Sequence, residues 1–225
     1  MGIGDWGMRF VQLLPITHYR LPITYYLLGE EIMLGTVTVK KFTIDEYEQL
    51  GKLGFFERDR VELIRGEIIK MVAKGTFHSV CNSLVFGELY TLVGKNAIIR
   101  GQEPIILPSD SEPEPDVVIA KKRSDNYSLS HPQASDILLV IEISDSTLNY
   151  DQKTKLSLYA ESQISDYWIF NLVENFLEMY SEPYQNNQGN FGYRFKRIVL
   201  PNETVSLPCF PDLSLDLSQV FPRQN

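Results

Sequence analysis

The chain has only two cysteines, Cys81 and Cys209, among its 225 residues. That is too few for a disulfide framework, and no C-x-x-C pair offers a zinc site. The reduced cytosol is the compartment this usage suits. An excess of positive charge is missing too: 21 Lys and Arg stand against 29 Asp and Glu, a formal charge of -8. So acidic a chain has no global attraction to nucleic acid, and a DNA-binding role would rest on a local basic surface and on metal ions. Long apolar runs are absent as well. The first thirty-odd residues are apolar, but Pro15, His18, Arg20 and Pro22 break them up before the roughly 18 apolar residues a spanning helix needs, and no small-residue cleavage site follows. No membrane segment is expected. Residues 1–35 read as an extension outside the main fold, with Met33 an alternative start if the upstream stretch comes from start-site assignment. Without repeats or low-complexity tracts, and with 44% hydrophobic and 22% charged residues, residues 36–225 are expected to form a single domain.

That domain reads as mixed α/β. In "FTIDEYEQLGKLG", Thr43 followed three residues later by Glu46 is a capping box, so a short helix is expected there, ending at Gly54. "RVELIRGEIIKMVA" alternates apolar and polar residues on both sides of Arg65-Gly66, the pattern of a hairpin. "HSVCNSLVFGELYTLVG" predicts a second helix, with His78 in its first turn and Val80, Leu84, Leu89 and Leu92 at helical spacing. Three strands follow in "NAIIRGQEPIIL", "PDVVIA" and "DILLVIEIS", then a helix in "DQKTKLSLYAESQ", a buried strand in "DYWIFNL" and a closing hairpin from "FLEMYSEP" to "YRFKRIVL". Trp168 is expected in the core with its indole N–H bonded.

Two of those strands carry a carboxylate against branched aliphatic residues, where an unpaired charge is costly. Taken singly, Asp116 could cap a turn after Pro115, and Glu142 could sit near a strand end within reach of water. The period of two in "LLVIEIS" puts Leu138, Val140, Glu142 and Ser144 on one face. If "PDVVIA" pairs with this strand, Asp116 lies beside Glu142. Two carboxylates that close repel unless one is protonated or a divalent cation sits between them, and an all-oxygen set selects Mg²⁺ or Mn²⁺. The backbone carbonyl of Ile143 is the natural third ligand.

Pro115-Asp116, the strand ending in Glu142-Ile143-Ser144 and the helix "YDQKTKLSLYAESQISDYWIFNL" resemble the Uma-two family of endonucleases in the PD-(D/E)XK nuclease superfamily. The resemblance runs over roughly residues 40 to 218, from "VELIRGEII" to "FPDLSLDL". It implies a restriction-endonuclease-like fold: a mixed β-sheet core flanked by helices, with an additional N-terminal helix and β-hairpin. It further implies that Asp116 and Glu142 bind Mg²⁺ or Mn²⁺, that Glu62 and His78 lie near the metal, and that Lys155 is the catalytic lysine. The sequence departs from the general superfamily pattern in one respect. Ser144 occupies the E-x-K lysine position, so the lysine would come from the following helix, as Asp151-x-x-x-Lys155. Such a cation would help orient or deprotonate the attacking water and offset charge in the transition state.

Each candidate also has an ordinary reading. Asp151 and Lys155 at i, i+4 also make a surface ion pair. His78 beside Thr76 and Ser79 is otherwise a capping or surface residue, Glu62 a solvent-facing strand position, Tyr159 a packing residue and Lys121-Lys122-Arg123 a solvated loop. Three functions are consistent with the sequence: a Mg²⁺-dependent DNA endonuclease using a metal-activated water, a non-catalytic nuclease-fold module binding DNA or another protein, and a structural domain whose carboxylates only satisfy local hydrogen bonds. Edge strands of the closing hairpin would also allow a homodimer.

Overall fold

The computed structural model describes residues 38–222. The expectation for residues 1–35 lies outside them. Within them, the chain begins with helix α1 (Ile44–Lys52), whose Thr43 and Glu46 form the reciprocal capping box and whose last turn is followed by Leu53 and Gly54. Strands β1 (Val61–Ile64) and β2 (Glu67–Lys70) make the expected hairpin. Its two turn residues, Arg65 and Gly66, both have positive φ (50° and 75°), the geometry that matches the twist of a two-residue hairpin.

Helix α2 (Thr76–Val93) leads into β3 (Ala97–Gly101), β4 (Val117–Lys121) and β5 (Ile137–Ser144), an antiparallel meander. A helical stretch follows in three consecutive pieces: α3 (Leu148–Tyr150), a π turn (Asp151–Lys155) and α4 (Leu156–Glu161). It returns the chain to β6 (Asp166–Asn171), which pairs parallel with β5, a connection that needs such a crossover. Strands β7 (Phe176–Gln185) and β8 (Phe191–Val199) complete a six-stranded mixed sheet of order β3-β4-β5-β6-β7-β8. A separate hairpin, β9 (Thr204–Leu207) and β10 (Phe210–Asp216), follows.

The central strands β4 to β6 are buried on both faces. One is covered by α2 and the β9–β10 hairpin, through Cys81, Val85, Leu89, Leu207 and Leu215 packed on Val117, Ile141 and Trp168. The other is covered by α4 and the first hairpin, through Leu158, Tyr159 and Ile64 packed with Val118, Val140 and Tyr167. This double covering is why the centre of "DYWIFNL", Tyr167 to Phe170, is continuously apolar instead of alternating.

Three expectations need correction. The buried stripe of α2 is His78, Cys81, Val85, Leu89 and Val93, whereas Val80 and Leu84 are exposed. The helix is apolar almost all round, so spacing alone could not choose its inner face. In β5, Leu138 does not share a face with Val140: Ile119 pairs with Leu139 and Ala120 with Ile137, leaving Leu138 as the extra residue of a bulge, packed with the opposite cluster. Trp168 is fully buried, but its indole N–H has no hydrogen-bond partner among the described residues.

Candidate active site

Asp116 stands one residue before β4. The register that pairs Val117 with Ile141 sets it opposite Glu142, on the same face of the sheet. The backbone ties the two together: the Asp116 N–H donates to Glu142 Oε2 at 3.3 Å, and the Ile143 N–H donates to Asp116 Oδ2 at 2.9 Å. Ser144 turns its carbonyl to the Leu172 N–H beside β6. In an extended strand its neighbour Ile143 therefore turns its backbone polar groups the other way, towards Asp116.

Both oxygens of Asp116 have partners. Lys74 Nζ lies 2.7 Å from Oδ1, and His78 Nε2 lies 3.0 Å from Oδ2. His78 reaches inward because it begins the buried stripe of α2; its Nδ1 is buried without a partner among the described residues. Burial alone would push Asp116 up, but His78 and Lys74 outweigh it and hold the carboxyl below the usual aspartate range.

Glu142 looks towards the helical stretch. Its Oε1 accepts from Lys155 Nζ at 3.1 Å and from the Tyr159 hydroxyl at 2.7 Å. Lys155 also lies 2.8 Å from Glu62 Oε2, and Glu62 in turn accepts from the Tyr150 hydroxyl and the Glu114 N–H. Burial raises Glu142 to about 8; Lys155 opposes the rise, and the carboxylates of Asp151 and Asp116 add to it. Burial would lower Lys155, but Glu142, Glu62 and Asp151 outweigh it and keep the ammonium firmly charged.

The π turn explains how the helix supplies this lysine. Its defining bond runs from the Leu156 N–H to the Asp151 carbonyl, which also accepts from the Tyr167 hydroxyl at 3.2 Å. Asp151 and Lys155 form no surface ion pair. Both are buried, and they diverge: Asp151 Oδ2 accepts from the hydroxyls of Ser144 and Thr147, both at 2.7 Å, while Lys155 goes to Glu142 and Glu62. Gln152 anchors the turn to the sheet through Glu178 of β7 at 2.7 Å.

All five side chains singled out from the sequence, Glu62, His78, Asp116, Glu142 and Lys155, line one cleft of about 270 Å³. Glu62 is buried rather than solvent-facing, and Tyr159 bonds a carboxylate as well as packing. Lys74 and Tyr150 also line the cleft but carried no sequence signal: one is a lone loop lysine, the other an aromatic at a helix start. The basic triplet is tied locally, Lys121 to the Ser135 carbonyl, Lys122 to the Lys95 carbonyl and Arg123 to Asp125.

Among the described residues, no group of three or more His, Cys, Asp or Glu side chains is arranged to hold a metal ion. The cluster nevertheless suits one in donor type and charge. Its four buried carboxylates, Glu62, Asp116, Glu142 and Asp151, face two ammoniums, Lys74 and Lys155, an excess of two negative charges if all are ionised. The donors are oxygen throughout, which suits Mg²⁺ or Mn²⁺.

Residues 44–218 match the family model of Uma2, described as "Putative restriction endonuclease". The structure is similar to the crystal structure of a "putative nuclease belonging to DUF820" from Anabaena variabilis ATCC 29413, with a TM-score of 0.60 and 17% identity, over 80% of this chain and 97% of that one. No curated protein matches the sequence. No helix among the described residues is long and apolar enough to cross a membrane. With the family model spanning most of its length and a nuclease-like mixed sheet at its centre, the chain belongs to the Uma2 family.

Proposed function

We propose that the chain is a Mg²⁺- or Mn²⁺-dependent endodeoxyribonuclease, hydrolysing phosphodiester bonds in DNA. The observation that carries this reading is the position of Lys155, whose ammonium reaches from the π turn to within 3.1 Å of Glu142 Oε1, in the cleft that Asp116 also lines. Asp116, Glu142 and the Ile143 carbonyl are the groups that would hold the cation. When bound, it would polarise a phosphate oxygen and strengthen a water nucleophile at neutral pH. Lys155 supplies a fixed positive charge to the phosphoryl oxygens as negative charge grows on them. Glu62 holds Lys155 from its far side, Tyr159 orients Glu142, and His78 orients Asp116.

A supercoiled-plasmid nicking assay with Mn²⁺ tests this. Lys155→Met is expected to slow nicking by two orders of magnitude or more, about 3 kcal/mol, the scale of one preorganised electrostatic donor. Lys153→Met, on the exposed side of the same turn, is expected to nick at the wild-type rate. Wild-type nicking by Lys155→Met would remove the lysine from the mechanism.

A second reading, a non-catalytic nuclease-fold module binding DNA or protein, is favoured by one observation. Both Asp116 oxygens and Glu142 Oε1 already have protein partners. Failure of the wild type to nick any DNA, together with metal-independent DNA binding, would select it.

A further inference from the structure

Three positively charged or chargeable groups serve the two carboxylates, and they are not held alike. Lys155 is buried, with side-chain exposure of 5%, and lies between Glu142 and Glu62. His78, at 6%, is carried on the inner stripe of α2. Lys74 differs in place and ties. It sits on the loop between β2 and α2, its side chain is 18% exposed, and its contact with Asp116 is its sole ion pair among the described residues. Among the described residues it is also the only partner of Asp116 Oδ1, since His78 and the Ile143 N–H both use Oδ2.

A divalent cation shared by Asp116 and Glu142 would need a lone pair on Asp116. Oδ2 already has two donors, so the open position is on Oδ1, beside the Lys74 ammonium. Two cations on one oxygen lie within about 5 Å of each other and repel in a low-dielectric site. Of the two, the ammonium has the route out. Its long flexible stem leads to solvent, and no second carboxylate among the described residues holds it.

We propose that Lys74 is an exchangeable counter-ion: it holds Asp116 in the metal-free protein, gives up Oδ1 when a divalent cation binds, and so sets the metal affinity of the site. This rests on the metal reading of the cleft. It makes metal binding a competition, in which removing Lys74 tightens the site instead of weakening it.

Calorimetric titration with Mn²⁺, alongside melting curves in chelator and in Mn²⁺, tests the exchange. Lys74→Met is expected to bind Mn²⁺ at least tenfold more tightly than the wild type, to melt lower in chelator and to gain more from Mn²⁺. Lys74→Gln, which keeps a donor but no charge, is expected to fall between them and carries the comparison if Lys74→Met does not fold. Lys70→Met, which removes a charge at the cleft rim that pairs with Asp59, is expected to change affinity less than threefold. Equal or weaker binding by both Lys74 variants, with the wild type binding, would overturn the exchange and leave the metal site standing. Equal tightening in Lys70→Met would overturn it in favour of general electrostatics. Absence of Mn²⁺ binding by the wild type and every variant would overturn the metal reading and the exchange together.

Discussion

A buried ammonium between two carboxylates is costly to remove from one side only, because the acids it leaves behind stay out of water. Lys155→Met is therefore expected to destabilise the metal-free protein by about 3–5 kcal/mol, the range for breaking a buried pair. Lys153→Met is expected to stay within about 0.5 kcal/mol of wild type. Urea unfolding in chelator measures both, and a near-neutral Lys155→Met would mean that the ammonium offsets no buried negative charge in the folded protein. Asp116 and Glu142 were legible in the sequence because a carboxylate in an aliphatic strand needs a reason. Their partners were less so. Lys74 is one loop lysine among many, and nothing before folding places its stem against Asp116. Tyr159 is four residues from Lys155, a visible spacing, but a tyrosine on an apolar face has packing as sufficient reason until its hydroxyl is seen on Glu142.

Elements divide similarly. The first hairpin is local chemistry: alternation sets its strands, and Arg65-Gly66 sets its turn. A Cβ on Gly66 would lie 2.8 Å from Lys41 Cβ and 3.0 Å from the Phe42 carbonyl oxygen, on a backbone at positive φ. Gly66→Ala is expected to cost on the order of 1–3 kcal/mol. Gly87, inside α2 with no atom of the described residues within 4 Å of the added carbon, is the contrast. Gly87→Ala is expected to stabilise by up to about 1 kcal/mol through helix propensity. Chemical denaturation of the two variants checks the pair, and a stabilising Gly66→Ala would contradict the turn geometry. The π turn lies beyond local reading. "DQKTK" has ordinary α-helical preferences; the turn is sustained by Tyr167 on the Asp151 carbonyl and by Glu178 on Gln152, both from strands distant in sequence.

Across the whole molecule, the segment before β4 joins the first hairpin to the sheet through the Leu63–Glu112 bridge, and it buries a carboxylate in doing so. Glu112 Oε2 has no partner among the described residues, and burial, with Glu48 and Glu114 nearby, pushes the group up to about 7. Because the folded pKa lies above that of the unfolded chain, the folded state holds this proton more tightly. The resulting stability is complete below about pH 4 and is lost as pH rises through about 7. Glu112→Gln, which cannot ionise, is expected to be more stable than wild type at pH 8 by about 1–3 kcal/mol, the linkage cost of ionising the buried carboxyl, with the gap closing towards pH 4. Thermal melts across that range check it; a gap independent of pH would assign the effect to packing. The sequence by itself determined the mixed α/β class, the first hairpin, the core strands and the positions of Asp116 and Glu142, because strand period and turn chemistry depend on near neighbours. Only the tertiary structure decided which side of α2 turns inward, that Leu138 bulges, that the helix carrying Lys155 opens into a π turn, and that Lys74 rests on Asp116. Those outcomes depend on partners distant in the chain, hydrogen-bonded ones 13 to 42 residues away and the apolar partners of α2 farther still, whose approach is settled by packing on both faces of one sheet.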